Sequence, residues 1–427
     1  MATRFFHQEI KLFGLERWRR QTLSSFDPMS RTGGWTRSKC VTWRGPNTQR
    51  KRMLSARKSH GLAISLFLQC KRPWGKDFTN LLVAGSIPAE GAQFSIYSLN
   101  MRTFRRIMLL ALASGVVAFL VVPLAFPFKS SGTESNLDAA GPGAQFSQIE
   151  DINVHVATSD YSGEAKALGE VPVIFLLHGF GASTFSWRDV MASLSTVGDV
   201  VAYDRPAFGF TDRPTSWSGE NPYGFAGNME ILKGLIKMYA KNREVVVAGH
   251  SAGGLLAAEF ARVNPELVDR LILVAPAVFN SGGASWLSSL RVIPHIEALG
   301  PALVQWIASS GNALLEESYF DKSQLTEKVI AGYNAPLKIF GWEKAFWEFT
   351  NAPRDNQFLE NAASLKIPTL LITGEFDTVV PTEDTVKLSK IISNNSLVII
   401  PKTAHLPQEE NPELFSQEVL SWLNKTS

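Results

Sequence analysis

From about residue 147 onward, short apolar runs rich in β-branched residues alternate with longer stretches whose apolar positions recur at helical spacing. Residues 171–177, 200–203, 244–248, 270–276, 367–373 and 396–401 each read as a buried strand. Most lack polar alternation, which predicts strands covered on both faces, hence a mainly parallel, doubly wound α/β sheet. Residues 152–156 alternate in the manner of an edge strand, with His155 expected on the solvent side. Helices are predicted over 228–240, 254–262 and about 412–423. Between 278 and 362 the alternation breaks. Ile293, Ile296, Leu299, Leu303, Trp306 and Ile307 recur at helical spacing, and Ala345, Phe346, Trp347 and Phe349 belong to another helix. This stretch reads as a helical lid inserted into the α/β body.

Ahead of the body the pattern changes again. Residues 107–128 contain no charged side chain. A helix of that length is roughly 33 Å long, enough to cross a hydrocarbon core of about 30 Å. Arg102, Arg105 and Arg106 stand directly before it. The expectation is an uncleaved transmembrane signal anchor over 101–128, with the body on the non-cytosolic side. The rival is a cleaved signal peptide starting at Met101, for which no small-x-small site follows. Residues 129–146, rich in Ser, Gly and Pro, read as a flexible stalk leading to a body over 147–427. The net charge of +3 averages two unlike parts, since residues 1–100 hold 17 Lys/Arg against 5 Asp/Glu. That basic leader reads as an organelle transit peptide, plastid or other, as a disordered arm, or as an extension ahead of a start at Met101. No base-reading or base-stacking motif accompanies the charge, so nucleic acid is not an expected partner. Both cysteines, Cys40 and Cys70, lie in the leader. The body therefore has neither disulfide nor thiol chemistry, and it lacks a cysteine metal site. Asn394 and Asn424 open glycosylation sequons, which matter only for a lumenal body.

The candidate chemistry centres on Gly249-His250-Ser251-Ala252-Gly253, a G-x-S-x-G pattern between a predicted strand and a predicted helix. A sharp turn there would present Ser251 at the carboxyl end of the sheet and aim the Ala252 amide at a developing oxyanion. The strand over 171–177 ends in His178-Gly179-Phe180-Gly181, and the Phe180 amide would be the second oxyanion donor. His178 reads as structural, as do Asp204 and Arg205 in the turn-rich loop 204–214. Asp377, on the loop after strand 367–373, is favoured over Glu375 as the acid because the chain has left the strand there. His405 is the only histidine after it. An unaided serine hydroxyl is a weak nucleophile at neutral pH. A histidine to take its proton and a carboxylate to orient that histidine would supply the activation. No cofactor or metal is called for.

The order Ser251, Asp377, His405 resembles that of the α/β-hydrolase superfamily. Four blocks fall in family order over roughly 150–427: His178-Gly-Phe-Gly181, Gly249-His-Ser-Ala-Gly-Gly254, Gly374-Glu-Phe-Asp377 and Ala404-His-Leu-Pro-Gln-Glu409. The resemblance implies an α/β-hydrolase fold and a serine hydrolase acting on a small apolar ester, thioester or lipid acyl substrate, lipase-like given the adjoining anchor. Epoxide hydrolases and haloalkane dehalogenases of the superfamily carry Asp where Ser251 stands, which disfavours those activities. The related carbon–carbon bond hydrolases usually carry Trp after the histidine, where this chain has Leu406. That activity and a non-catalytic small-ligand receptor are the alternatives.

Overall fold

The computed structural model describes residues 67–71, 77–81, 101–125, 128–164, 171–279, 294–309, 312–354 and 356–426. The chain divides into two units, 24–122 and the remainder. The first holds an antiparallel pair, β1 (Phe67–Lys71) with β2 (Asp77–Leu81), and most of helix α1 (Met101–Ala125). The rest of the leader lies outside the described residues. Helix α1 covers most of the uncharged run expected to be the anchor, and its apolar side chains from Ile107 to Val117 are exposed. Among the described residues, no helix is long and apolar enough to cross a membrane.

The second unit is built on a sheet of eight strands in the order β10-β9-β8-β7-β5-β6-β4-β3. These are β3 (Gln145–Ile149), β4 (Ile152–Ser159), β5 (Val173–Leu177), β6 (Asp199–Tyr203), β7 (Val245–His250), β8 (Arg270–Val274), β9 (Thr369–Gly374) and β10 (Asn395–Ile400). The six from β5 to β10 run parallel, while β3 and β4 are antiparallel additions at one edge. The continuous apolar runs have a direct explanation. In β7, Val245 and Val247 enter the core on one face, and Val246 and Ala248 enter the core on the other. β5 divides its residues in the same way. Helices α2 (Phe225–Tyr239) and α3 (Ala252–Val263) cover the first face, and the C-terminal helix Pro412–Lys425 covers the second.

Between β8 and β9 the chain leaves the sheet for a helical insertion. It includes α4 (Pro294–Ser309), α5 (Glu327–Asn334) and α6 (Trp342–Asn351). Trp342, Ala345, Trp347 and Phe349 of α6 are buried, and the Trp347 indole donates to Glu297 of α4 at 3.1 Å.

Two details depart from the pattern-based reading. β3 was not anticipated and begins inside the expected stalk. Residues 130–134, expected to be a free linker, are bonded to the insertion. The Glu343 carboxylate is fully buried and accepts from Ser130 Oγ (2.7 Å), Ser131 N (2.7 Å) and Ser131 Oγ (2.6 Å). Thr133 N and Glu134 N donate to Lys338 O, and Phe340 N donates to Glu134 O. A serine-rich stretch reads locally as linker; its partner lies some 210 residues away and leaves no local signal. Replacing both Ser130 and Ser131 with Ala should cost about 1–3 kcal/mol, because a buried carboxylate loses donors. Urea unfolding would measure the loss, and amide exchange at Phe340 and Gly341 should quicken with it.

Candidate active site

The parallel strands bring their carboxyl ends to one rim of the sheet, where ligand-facing groups collect in this architecture. β7 ends at His250 and α3 starts at Ala252, so Ser251 alone makes the turn. Its φ of 53° with ψ of −118° is a costly conformation for a residue with a side chain. Surrounding bonds hold it there. Ser251 N donates to Val274 O at 2.8 Å, and Ser251 O accepts from Leu255 N and Ala277 N, both at 3.1 Å. The close packing demands the flanking glycines. A Cβ on Gly249 would stand 2.3 Å from Gly253 O, and one on Gly253 would stand 2.3 Å from His178 O. The serine side chain caps none of the α3 amides.

Asp377 and His405 meet as a buried pair, with Asp377 Oδ2 2.8 Å from His405 Nδ1. The other oxygen, Oδ1, accepts from Val379 N and Val380 N at 2.9 Å each. The carboxylate is thereby fixed from behind, and His405 Nε2 is left for chemistry. Glu375, the competing acid, instead accepts from Lys402 N at 3.1 Å.

A second histidine tunes the surroundings. His250 Nε2 lies 2.8 Å from the carbonyl of His405, and its Nδ1 has no hydrogen-bond partner among the described residues. Burial above all, then the neighbouring His405, holds its pKa well below the ordinary value of 6.5. The ring is therefore neutral and donates from Nε2 to the loop that carries His405. A Cβ on Gly179 would stand 2.8 Å from His250 Nδ1 and 3.2 Å from Ser251 Cβ, so the His178-Gly179-Phe180 turn runs directly against the elbow.

That turn is held by a network the sequence reading treated only as structural. His178 Nδ1 donates to Gly179 O at 2.7 Å, and His178 Nε2 accepts from Arg205 N at 3.0 Å. Both nitrogens are used by a neutral ring. Burial first, then the Arg205 charge, pushes its pKa down to about 3. Asp204 is fully buried and accepts from Thr184 N (2.6 Å), Phe210 N (2.8 Å) and His155 Nδ1 (2.8 Å). Burial pushes its carboxyl up, but the bond and charge of His155 and the Phe210 amide outweigh that and leave it below the usual value. His155 is thus buried at 8% exposure rather than facing solvent, because the rings of Phe146 on β3 and of Phe210 pack against it. No period in the sequence marks the Asp204–His155 pair; His155 lies in β4, and Asp204 follows the end of the antiparallel neighbour β6.

Phe180 stands at the mouth, 37% exposed. Its ring meets Phe346 at 5.3 Å, and Phe208 meets Phe349 at 4.7 Å, so α6 rests on the turn through aromatic edges. Among the described residues, no cluster of His, Cys, Asp and Glu could hold a metal ion.

Known proteins agree with this architecture. The model of the alpha/beta hydrolase fold family matches residues 172–412. The chain belongs to that family and is a hydrolase of it. Over 291 residues it is 27% identical to the uncharacterized hydrolase YugF of Bacillus subtilis, which covers 67% of this chain and 100% of the relative. Over 260 residues it is 26% identical to Homo sapiens protein ABHD8, with coverage of 58% and 55%. The solved structure of a hydrolase from Pseudomonas aeruginosa PA01 superposes with a TM-score of 0.53 at 23% identity, covering 66% of this chain and 99% of the other. At that identity the likeness concerns the fold.

The buried neutral His178 has a consequence for stability. Its folded pKa of about 3 lies below the unfolded value of 6.5. Below pH 6.5 the unfolded chain therefore binds a proton that the folded chain refuses. The stability contributed is complete above pH 6.5 and is lost as pH falls from there toward 3, at up to about 1.4 kcal/mol per pH unit. Urea midpoints measured from pH 7.5 down to 4.5 should fall, and His178→Gln should flatten the slope.

Proposed function

We propose that this protein is a serine hydrolase that cleaves an ester, thioester or lipid acyl bond through an acyl-enzyme. The observation that carries the reading is the 2.8 Å bond between Asp377 and His405, at the same sheet edge as a serine held at positive φ. Ser251 Oγ attacks the acyl carbon as its proton passes to His405 Nε2. Asp377 holds the imidazole by Nδ1 and stabilises the imidazolium that forms. The amides of Phe180 and Ala252 stabilise the oxyanion, each by on the order of 3 kcal/mol of barrier. His405 then protonates the leaving group, and it activates a water molecule that releases the acid and restores Ser251. The rings of Phe180, Phe208, Phe346 and Phe349 favour an apolar acyl group. In this reading the insertion acts as a lid over the serine.

The same reading keeps the signal anchor over 101–128, with the body over 147–427 on the non-cytosolic side. It is supported by the amino-acid sequence, in the uncharged run 107–128 and the three arginines before it. Expression of the full chain in a secretory host tests the topology. Modification at Asn394 or Asn424 should appear as a mobility shift on endoglycosidase treatment. An unmodified protein left in the soluble fraction would exclude the anchor.

A fluorophosphonate probe should label the wild type at Ser251. Ser251→Ala should abolish labelling and lower ester turnover by about 10⁴-fold or more, and Asp377→Asn should lower turnover by roughly 10⁴-fold with the protein still folded. Labelling that persists in Ser251→Ala would remove the serine from the mechanism.

A further inference from the structure

Four residues beyond His405, on the turn Pro407–Glu410, the side chain of Glu409 is completely buried. Both of its oxygens are engaged twice. Oε1 accepts from Ser186 Oγ at 2.7 Å and from the Tyr333 hydroxyl. Oε2 accepts from Arg188 Nη1 at 2.7 Å and from the Tyr319 hydroxyl at 2.8 Å. The donors come from two places far apart in sequence. Ser186 and Arg188 follow the Phe180 turn, whereas Tyr319 and Tyr333 belong to the insertion. Arg188 is the only cation bonded to this carboxylate among the described residues, and the hydroxyls of Ser186, Tyr319 and Tyr333 supply the rest of its demand. Burial and the neighbouring carboxylate both push the tyrosine pKa values up, so both hydroxyls stay protonated as donors.

The adjoining contacts give this carboxylate a bearing on the site. His405 N donates to Ser318 O of the insertion at 3.0 Å. Glu410 accepts from Ala404 N at 2.7 Å and from Phe320 N at 2.6 Å. Residues 404–410 and residues 318–320 are therefore bonded along their length, with Glu409 underneath as the shared acceptor. On the side of Phe180 and Phe208, α6 makes edge-to-face ring contacts instead of hydrogen bonds.

We infer that Glu409 is a positioning residue: through Tyr319 and Tyr333 it makes the placement of His405 depend on the insertion. This rests on the serine hydrolase reading for its kinetic expression. Truncating the two hydroxyls leaves a buried carboxylate two donors short, and the loop that carries His405 must shift to rehydrate it. A shift of even 1 Å at a general base costs on the order of 10²-fold in rate.

The test uses the full chain, the double variant Tyr319→Phe/Tyr333→Phe, and p-nitrophenyl acetate, whose acyl group is too small to need the insertion for binding. The expected result is a fall in kcat of about 10- to 100-fold with KM within about twofold, together with faster exchange of the His405 amide. Unchanged kcat in a folded double variant, or a change confined to KM, would overturn the inference. Should the double variant fail to fold, Ser186→Ala and Tyr333→Phe, each removing one donor, are measured the same way, and unchanged kcat in both overturns it equally. A wild type that neither turns over ester nor takes a fluorophosphonate label would instead defeat the serine hydrolase reading. The exchange rate of the His405 amide then remains the readout, and equal protection in wild type and variant would overturn the coupling.

Discussion

The whole rim of the sheet depends on the backbone conformation of Ser251. A residue with a side chain sits at φ 53° because four elements converge on it: β7 before it, α3 after it, Val274 of β8 beneath it and the His178-Gly179 turn beside it. Such strain persists only where the surroundings over-determine it. Here they do so by excluding side chains, since a Cβ at Gly249, Gly253 or Gly179 would strike backbone or the His250 ring. The neutral His250 completes the arrangement. It bonds the carbonyl of His405 from the position next to Ser251, so the candidate nucleophile and candidate base are referred to one another through a buried ring.

Around that centre the buried polar groups gather at two places. Asp204, His155, Thr184 and Arg205 hold the Phe180 side. Glu409 and Glu410 hold the His405 side. Each places a buried carboxylate at a junction of segments distant in sequence, with its lone pairs satisfied by backbone amides, hydroxyls and one arginine or histidine. A buried charge left unpaired is expensive, so each acts as a geometric constraint on the chain segments that supply its donors. The Glu343 junction repeats the device at the start of the domain, where Ser130 and Ser131 join the insertion to the chain that leads into β3.

The strands β5 to β10, helix α3, the Ser251 elbow and the pairing of Asp377 with His405 were all legible in the amino-acid sequence. The reason is that they depend on local order: a strand buried on both faces must be continuously apolar, a tight elbow must be flanked by small residues, and groups at the ends of parallel strands share one rim. What only the tertiary structure decided are the contacts between residues of unrelated register. β3 turns His155 from a surface residue into a partner of Asp204. The serines of the expected stalk become donors to Glu343, and Glu409 gathers hydroxyls from both sides of the site. These arise from satisfying buried polar atoms across long sequence separations, a requirement without a period, and so without a signature along the chain.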